Sequence, residues 1–471
     1  MVFREKLLEA ARMVSFSDVY LVPGKAVVDP DEVDLSTRFS RNVRLRIPIA
    51  SAPMDTVTGW EMAVALALHG GIGVLHRNCS IDEQVEMARR VKNFPPIPMR
   101  TLFVYNDEPC ERALVKMVEE GVREIPVVSS DGRVLGYARY SDVRSICRES
   151  KLAPVEHAVR GGDIYTVDRV AEARRAILDG KIDCVAITDS TGIYLGTVCV
   201  REALEEVEPS LDENGRLVVA AAISPFDTTR AKALDRVVDV LVSDVAHFHN
   251  VKVLEAARRL VKDLSIDFVA GNVGTYEAVV DTVNIVERVD GFRVGIGGGS
   301  ICITSEVCGA YVPTLWAVAC VRDALHDLNL DIPVIADGGI RTAGDVVKVL
   351  AAGASCAMLG YVFAGCEEAC APKIVVGDRV YKPYRGMASR SAIERRFAMD
   401  RYARTVKRVA EGVEGLVPYK GPASKVIREL VEGIKAGLGY AGAKRIADLW
   451  RSARFGLVSH PKTVGVDLRL G

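Results

Sequence analysis

No stretch of this 471-residue chain approaches the roughly 18–20 consecutive apolar residues that a membrane helix needs. Its most apolar runs, such as PVIADGGI and CVAITDS, are short and broken by charge or glycine. No basic segment followed by an apolar one opens it, as a signal peptide would. An excess of charge of one sign is missing as well: 61 Lys and Arg stand against 62 Asp and Glu, a formal net charge of −1. That balance argues against a protein that is globally a nucleic-acid binder. The eleven cysteines show no CxxC spacing and are odd in number, which reads as a reducing, cytoplasmic setting with most thiols simply buried. Nor does any GxGxxG or GxxxxGKS motif open a helix, as the phosphate loops of open nucleotide-binding sheets do.

What the chain does hold is glycine in unusual places. Residues 295–309 read GIGGGSICITSEVCG, with four glycines in five positions just ahead of Cys302. Glycine is costly in ordered structure unless the chain turns sharply or a ligand approaches the backbone closely. A simple turn needs one or two.

The rest of the chain supplies the frame for that loop. With 49% hydrophobic and 26% charged residues it is long enough for two domains or more. Apolar runs IPIASAPMD (47–55) and GGIGVLH (70–76) flank a helical WEMAVALALH. After Pro95, Pro96 and Pro98 the texture changes: 101–149 and 157–205 each give a helix followed by two strands, an internal duplication of about fifty residues. From about 217, apolar runs again alternate with helical ones: 217–223, 237–244, 266–272, 292–299, 331–339 and 355–360. Nearly continuous apolar strands belong in a parallel sheet covered by helices. Six such strands plus two make eight. The expected fold is α/β, a (β/α)8 barrel over 1–95 and 209–471 interrupted by a module at 96–208; an open doubly wound sheet is the alternative.

On a barrel, the C-terminal strand ends form one face, and that face holds the chemistry. Asp244, Asn272, the 297–302 loop, Asp337 and Gly360 all fall there. Gly297, Gly298, Gly299 and Ser300 offer backbone donors and a hydroxyl to an anion or a bound ion. Gly338 and Gly339 do the same for a phosphate, beside Asp337, whose carboxylate suits two adjacent sugar hydroxyls. Cys302 is the candidate nucleophile, while Cys308, Cys320, Cys356, Cys366 and Cys370 read as buried filler. Asp244 reads as a site residue or a helix cap. His247 and His249 alternate like metal ligands, but no third ligand has suitable spacing. Residues 379–408 carry ten basic and two acidic side chains; a lid over a phosphorylated substrate, with Tyr384, Gly386 and Met387 as its surface, fits better than a nucleic-acid stripe.

Taken together, IPIASAPMDTVT, GGIGVLHRN, GNVGT, VGIGGGSICIT, IADGGI, YRGM, EGVEGLVPYKG and GYAGA resemble the inosine-5′-monophosphate dehydrogenase and GMP reductase family over nearly the whole chain. The resemblance implies a TIM barrel, assembled as a homotetramer or octamer, with a pair of CBS modules at about 99–205 that bind purine nucleotides or serve as passive oligomerisation elements. It implies oxidation of IMP to xanthosine monophosphate in guanine nucleotide biosynthesis: Cys302 attacks C2 of the purine, hydride goes to NAD, and water releases the product. On this likeness Thr304 helps to handle the water, and Arg401 with Tyr402 forms a flap pair. Ser300, Gly339 and Tyr384 hold the phosphate, and Asp337 the ribose; Met387 and Glu411 touch the purine, with Gly338, Gly360 and Gly386 in the same substrate site. Asp244, with Asn272 and Gly295, stands on the cofactor side. Gly295, Gly297 and Cys302 would offer carbonyls to a potassium ion.

Several positions depart from the family's pattern. Ser305 replaces the arginine after CIT, and Gly298 the proline of GPGS. Phe248 stands where a glycine leaves room beside the dinucleotide, and Tyr361 where a phosphate-binding serine is usual. The tail lacks GLxE ahead of SHP (459–461). The departures leave two alternatives, NADPH-dependent reduction of GMP to IMP and ammonia, and a weakened purine-nucleotide-binding regulatory protein.

Overall fold

The computed structural model describes residues 12–389, 392 and 412–459. Those residues fall into two compact units, one formed by the chain up to 93 and from 208 onward, the other by 94–207.

The first unit is built on a closed barrel of eight parallel strands. In chain order these are β1 (Ile49–Ser51), β2 (Ile72–Leu75), β3 (Val219–Ile223), β4 (Val240–Ser243), β5 (Asp267–Val273), β6 (Gly291–Val294), β7 (Val334–Asp337) and β8 (Cys356–Leu359). Each matches one of the eight apolar runs to within one residue at either end or lies inside it. Sequential neighbours pair all the way round, with β8 back on β1 through Ala357↔Ile49 and β2 on β3 through Gly73↔Val219. All but one of the strand residues are buried, because one face meets the barrel interior and the other the helices. The run at 292–299 is cut short at Val294. Gly295 takes φ 151°, outside the range of a strand residue with a side chain.

Helices cover the outside: α1 (Trp60–Leu68), α2 (Ile81–Asn93), α3 (Thr228–Leu234), α4 (Val251–Leu260), α5 (Tyr276–Ile285), α6 (Thr314–Asp327), α7 (Ala343–Ala351) and α8 (Ala423–Tyr440). Several starts are chemically marked. Asp227, Asn250, Thr275 and Thr342 each accept a backbone N–H of the first turn of α3, α4, α5 and α7. At the far end of the barrel, Asp267 accepts from Ser40 Oγ (2.6 Å) and from the backbone and side-chain nitrogens of Asn42 (both 2.7 Å), which ties the N-terminal loop beneath β5.

The second unit shows the duplication as structure. Glu124–Val128 and Val134–Arg139 of the first copy correspond to Cys184–Thr188 and Tyr194–Cys199 of the second, sixty residues on. Each pair is antiparallel, with a short parallel strand beside it. The copies meet at their turns in a nearly twofold way: Tyr194 N donates to Gly132 O (2.8 Å), Val134 N to Gly192 O (3.4 Å), and Arg123 pairs with Asp183. Among the described residues none of its strands joins the barrel sheet.

The cysteines correct one expectation. Cys184 and Cys199, opposite each other on paired strands, form a disulfide that the uneven count concealed. Cys356 and Cys366 are buried as read, but Cys320 is half-buried and Cys308 and Cys370 are exposed, Cys308 at the end of a short helix and Cys370 in a bend.

Candidate functional site

A solvent-open cleft of about 1110 Å³ lies over the C-terminal ends of the strands. The loop after β6 forms its floor. Its backbone is pressed against the loop after β7 so closely that the facing glycine positions tolerate no side chain. A Cβ on Gly295 would lie 1.9 Å from Asp337 O, and one on Gly339 2.9 Å from Gly298 O. Gly338 and Gly339 also take φ of 102° and 75°, so their N–H groups can turn toward a ligand as in an anion-binding nest. Gly298 has its own reason. A Cβ there would meet Thr314 Oγ1 at 2.5 Å, so the proline of the family's pattern has no room.

Cys302 follows that floor. Its N–H closes a turn on Gly299 O (3.0 Å), and its Sγ lies 3.1 Å from Thr304 Oγ1 at the start of a short helix, Thr304–Cys308. The thiol is half-buried, which leaves it accessible to a reactant. Ser305, where the family has arginine, turns instead to Glu306 at 2.7 Å.

The opposite wall comes from a hairpin, Arg379–Arg385 paired with Glu414–Pro418. It brings Tyr384, Gly386 and Met387 to the cleft. Tyr384 is buried, and burial pushes its phenol up to about 12, with the Ser300 hydroxyl bonded to it pulling the other way. A neutral phenol at ordinary pH donates a hydrogen bond to an anion and adds no charge. Tyr361 also lines the cleft, 6.0 Å from the Tyr384 ring and with Lys420 Nζ 5.0 Å above its own. Val413 clips the wall to the floor, its N–H donating to Ile301 O and its carbonyl accepting from Gly386 N.

Deeper lies a layer of paired charge. Asp337 at the end of β7 accepts from Arg293 Nε (2.8 Å) and Asn272 Nδ2 (3.0 Å). Asp244, one residue beyond β4, sits between Arg77 and Arg293. It caps no helix; Asn250 does that for α4. Burial works against the Arg293 charge, but Asp337 and Asp244 outweigh it and the net shift is upward.

Seventeen of the residues singled out in the sequence line this one cleft: Asp244, Asn272, Gly295, Gly297, Gly298, Gly299, Ser300, Cys302, Thr304, Asp337, Gly338, Gly339, Gly360, Tyr361, Tyr384, Gly386 and Met387. Arg401, Tyr402 and Glu411 lie outside the described residues, as do the last two residues of the SHP motif. Sequence reading missed Arg77, Arg293 and Arg341, which line the cleft or support it. Arg293 carried a visible signal, a charge inside an otherwise apolar strand. One other reading changes. The Phe248 ring is fully buried, 6.4 Å from Phe268, and does not fill the space beside Asp244 and Ala246. His249 Nε2 pairs with Asp281 at 2.7 Å, and the His247 ring lies 6.1 Å away.

The Asp244 side of the cleft, cleared of Phe248, fits the ribose of a dinucleotide such as NAD. The cation set fits less well, because the Gly295 carbonyl already accepts from Asn272 Nδ2 at 2.9 Å.

Fold and cleft together define a (β/α)8 barrel whose C-terminal face brings a thiol, a pair of positive-φ glycines and a carboxylate into one cleft. The chain belongs to the IMP dehydrogenase / GMP reductase family, whose domain matches residues 13–464. It is 43% identical over 458 residues to the inosine-5′-monophosphate dehydrogenase of Korarchaeum cryptofilum, covering 95% of this chain and 94% of that one. The corresponding protein of Thermoplasma acidophilum is 39% identical, covering 96% and 93%. Among solved structures, a variant GMP reductase of Trypanosoma brucei in complex with guanosine 5′-monophosphate superposes with a TM-score of 0.69 at 33% identity, covering 96% of this chain and 97% of that one. No helix among the described residues is long and apolar enough to cross a membrane.

Proposed function

We propose that this protein oxidises inosine 5′-monophosphate to xanthosine 5′-monophosphate with NAD. The observation that carries the reading is the Cys302 thiol, 3.1 Å from the Thr304 hydroxyl, in the same cleft as Asp337 and the Gly338–Gly339 nest. In this reading the Cys302 thiolate bonds to purine C2, a hydride leaves C2 for NAD, and water then adds at C2 and displaces the sulfur. One IMP, one NAD and one water give xanthosine monophosphate, NADH and a proton. Asp337 holds the ribose hydroxyls, and Ser300, Gly339, Gly360 and Tyr384 take the phosphate; Met387 meets the purine, and Asp244 orients the dinucleotide. Arg401 and Tyr402 would activate the water, with Glu411 at the purine edge. A homotetrameric assembly and a purine-nucleotide-sensing CBS pair in residues 96–208 complete the proposal, and no step in it depends on a potassium ion at the loop carbonyls.

GMP reduction is the second reading. It is favoured by the likeness to the GMP reductase of T. brucei and by Ser305 in place of arginine. A paired assay decides between them. Purified protein with IMP and NAD should generate absorbance at 340 nm. Protein inert in that mixture, but consuming NADPH and releasing ammonia with GMP, would reverse the assignment.

A further inference from the structure

One charge inside the barrel needs an explanation that packing does not give. Arg293 occupies the third position of β6, whose four residues are all buried. A guanidinium there is unfavourable unless carboxylates pair with it, and an apolar residue would fill a barrel interior more simply. Arg293 instead spans two strand ends. Its Nε donates to Asp337 Oδ2 at 2.8 Å, and its Nη1 to Asp244 Oδ1 at 3.2 Å. Beyond each carboxylate stands a second donor. Asn272 Nδ2 reaches the same Asp337 Oδ2 at 3.0 Å, and Arg77 Nε reaches Asp244 Oδ2 at 3.2 Å while its Nη2 holds the Asp244 carbonyl at 3.0 Å. The result is a continuous chain, Arg77–Asp244–Arg293–Asp337–Asn272, with two positive and two negative charges. Both donors to Asp337 use Oδ2. Its Oδ1 accepts from no described residue and is left for a ligand in the cleft.

We propose that Arg293 is a positioning residue that couples the mononucleotide and dinucleotide sites, by fixing both ribose-binding carboxylates with one guanidinium. The proposal rests on the reading above, in which Asp337 holds the ribose of the monophosphate and Asp244 that of the dinucleotide. The fork of an arginine is planar and rigid, so its two edges cannot move independently. A sugar that locks Asp337 therefore also locks the donor facing Asp244, and the second nucleotide binds to an already ordered partner. Coupling of this kind is reciprocal: each ligand tightens the other by the same factor. Lysine cannot replace it, because one ammonium has no fork to span the two carboxylates.

The test is made in full-length protein carrying Cys302→Ala, so that IMP and NAD can be present together without turnover. Calorimetric titration gives the IMP affinity with and without saturating NAD. With Arg293 present, NAD should tighten IMP by about fivefold or more, the low end of ordinary coupling. Arg293→Lys should weaken IMP and NAD alike, by about tenfold each for a lost charge-assisted bond, and bring the coupling factor to about one. Arg77→Lys, which removes the Nε and Nη2 bonds to Asp244 and none to Asp337, should weaken NAD and leave the affinity for IMP alone unchanged. An Arg293→Lys protein that loses affinity for one ligand only, or keeps the parent's coupling, would overturn the proposal. Should Arg293→Lys not fold, Asp244→Asn serves in its place. It should shift the affinity for IMP alone, and unchanged IMP binding there would overturn the proposal equally. A parent that binds neither nucleotide would bring down the functional reading and the coupling with it.

Discussion

Arg385 Nε donates to Asp55 Oδ1 at 3.0 Å, which ties the segment carrying Tyr384 and Met387 to the loop after β1. Asn78 Nδ2 adds a second bond to Asp55 at 2.8 Å, and the Asp55 N–H points at the sulfur of Met387. Two distant stretches of sequence, PMDT and YRGM, are thereby held as one wall.

The pairing has a pH signature. Burial pushes the Asp55 carboxyl up, but the bonds from Arg385 and Asn78 outweigh it and hold its pKa below the ordinary value. A carboxyl lowered in the folded state adds stability above its unfolded pKa, and that stability is lost as pH falls through the folded one. Asp55→Asn should cost about 3 kcal/mol at neutral pH, as breaking a buried pair does. The deficit should begin to shrink below about pH 4, where the unfolded chain takes up the proton first, and close as pH falls through the lower folded-state value. Thermal unfolding from pH 3 to 7 checks this; a gap between parent and variant that stays constant across the series would show that Asp55 does not act through its charge.

The barrel was legible because its strands are buried on both faces, so eight apolar runs stand out from the chain at regular intervals. Site residues at their C-terminal ends followed from the same pattern, since Asp244, Asn272 and Asp337 each stop an apolar run. Partner identity was not legible. That Arg293 faces both Asp244 and Asp337 depends on barrel closure and on the register of three strands, which no local motif encodes. The inward turn of Phe248 depends on Phe268, and the union of Cys184 with Cys199 on the pairing of two strands within one repeat. Each is a relation between segments, and composition cannot reveal it.

Lys382 gives a stability prediction. It lies in the Arg379–Arg385 strand with its ammonium buried, donating to the carbonyls of Cys366, Glu367 and Ala369 at 2.9, 2.9 and 2.8 Å. Burial presses its pKa down, and the nearby Glu367 and Glu368 offset that only in part. Lys382→Met keeps most of the volume but leaves three carbonyls without their shared donor. Unmet buried acceptors cost about 1–3 kcal/mol each before relaxation, so a total loss of about 3 kcal/mol is expected after partial hydration. Urea denaturation measures it directly. A loss under about 1 kcal/mol would mean that the 366–369 turn holds its shape without the lysine.

The thiol itself gives the last prediction. In the function proposed above, the groups that hold the nucleotide are those of Ser300, Asp337, the Gly338–Gly339 nest and Tyr384, whereas the Cys302 sulfur pairs with Thr304 Oγ1. Binding and bond-making are therefore separable. Cys302→Ala should bind IMP within about threefold of the parent, because a half-buried thiol contributes little to affinity on its own, while turnover falls to background. Incubation with a 6-chloropurine ribonucleotide should leave the parent heavier by the nucleotide less HCl: a carbon–sulfur bond forms, and the thiol proton and chloride leave. The alanine variant should keep its own mass. Intact-protein mass spectrometry reads both outcomes in one measurement, and it separates a nucleophile from a packing residue. An adduct on the alanine variant would place the reactive group elsewhere in the chain, and residual turnover within about tenfold of the parent would rule out covalent catalysis by Cys302.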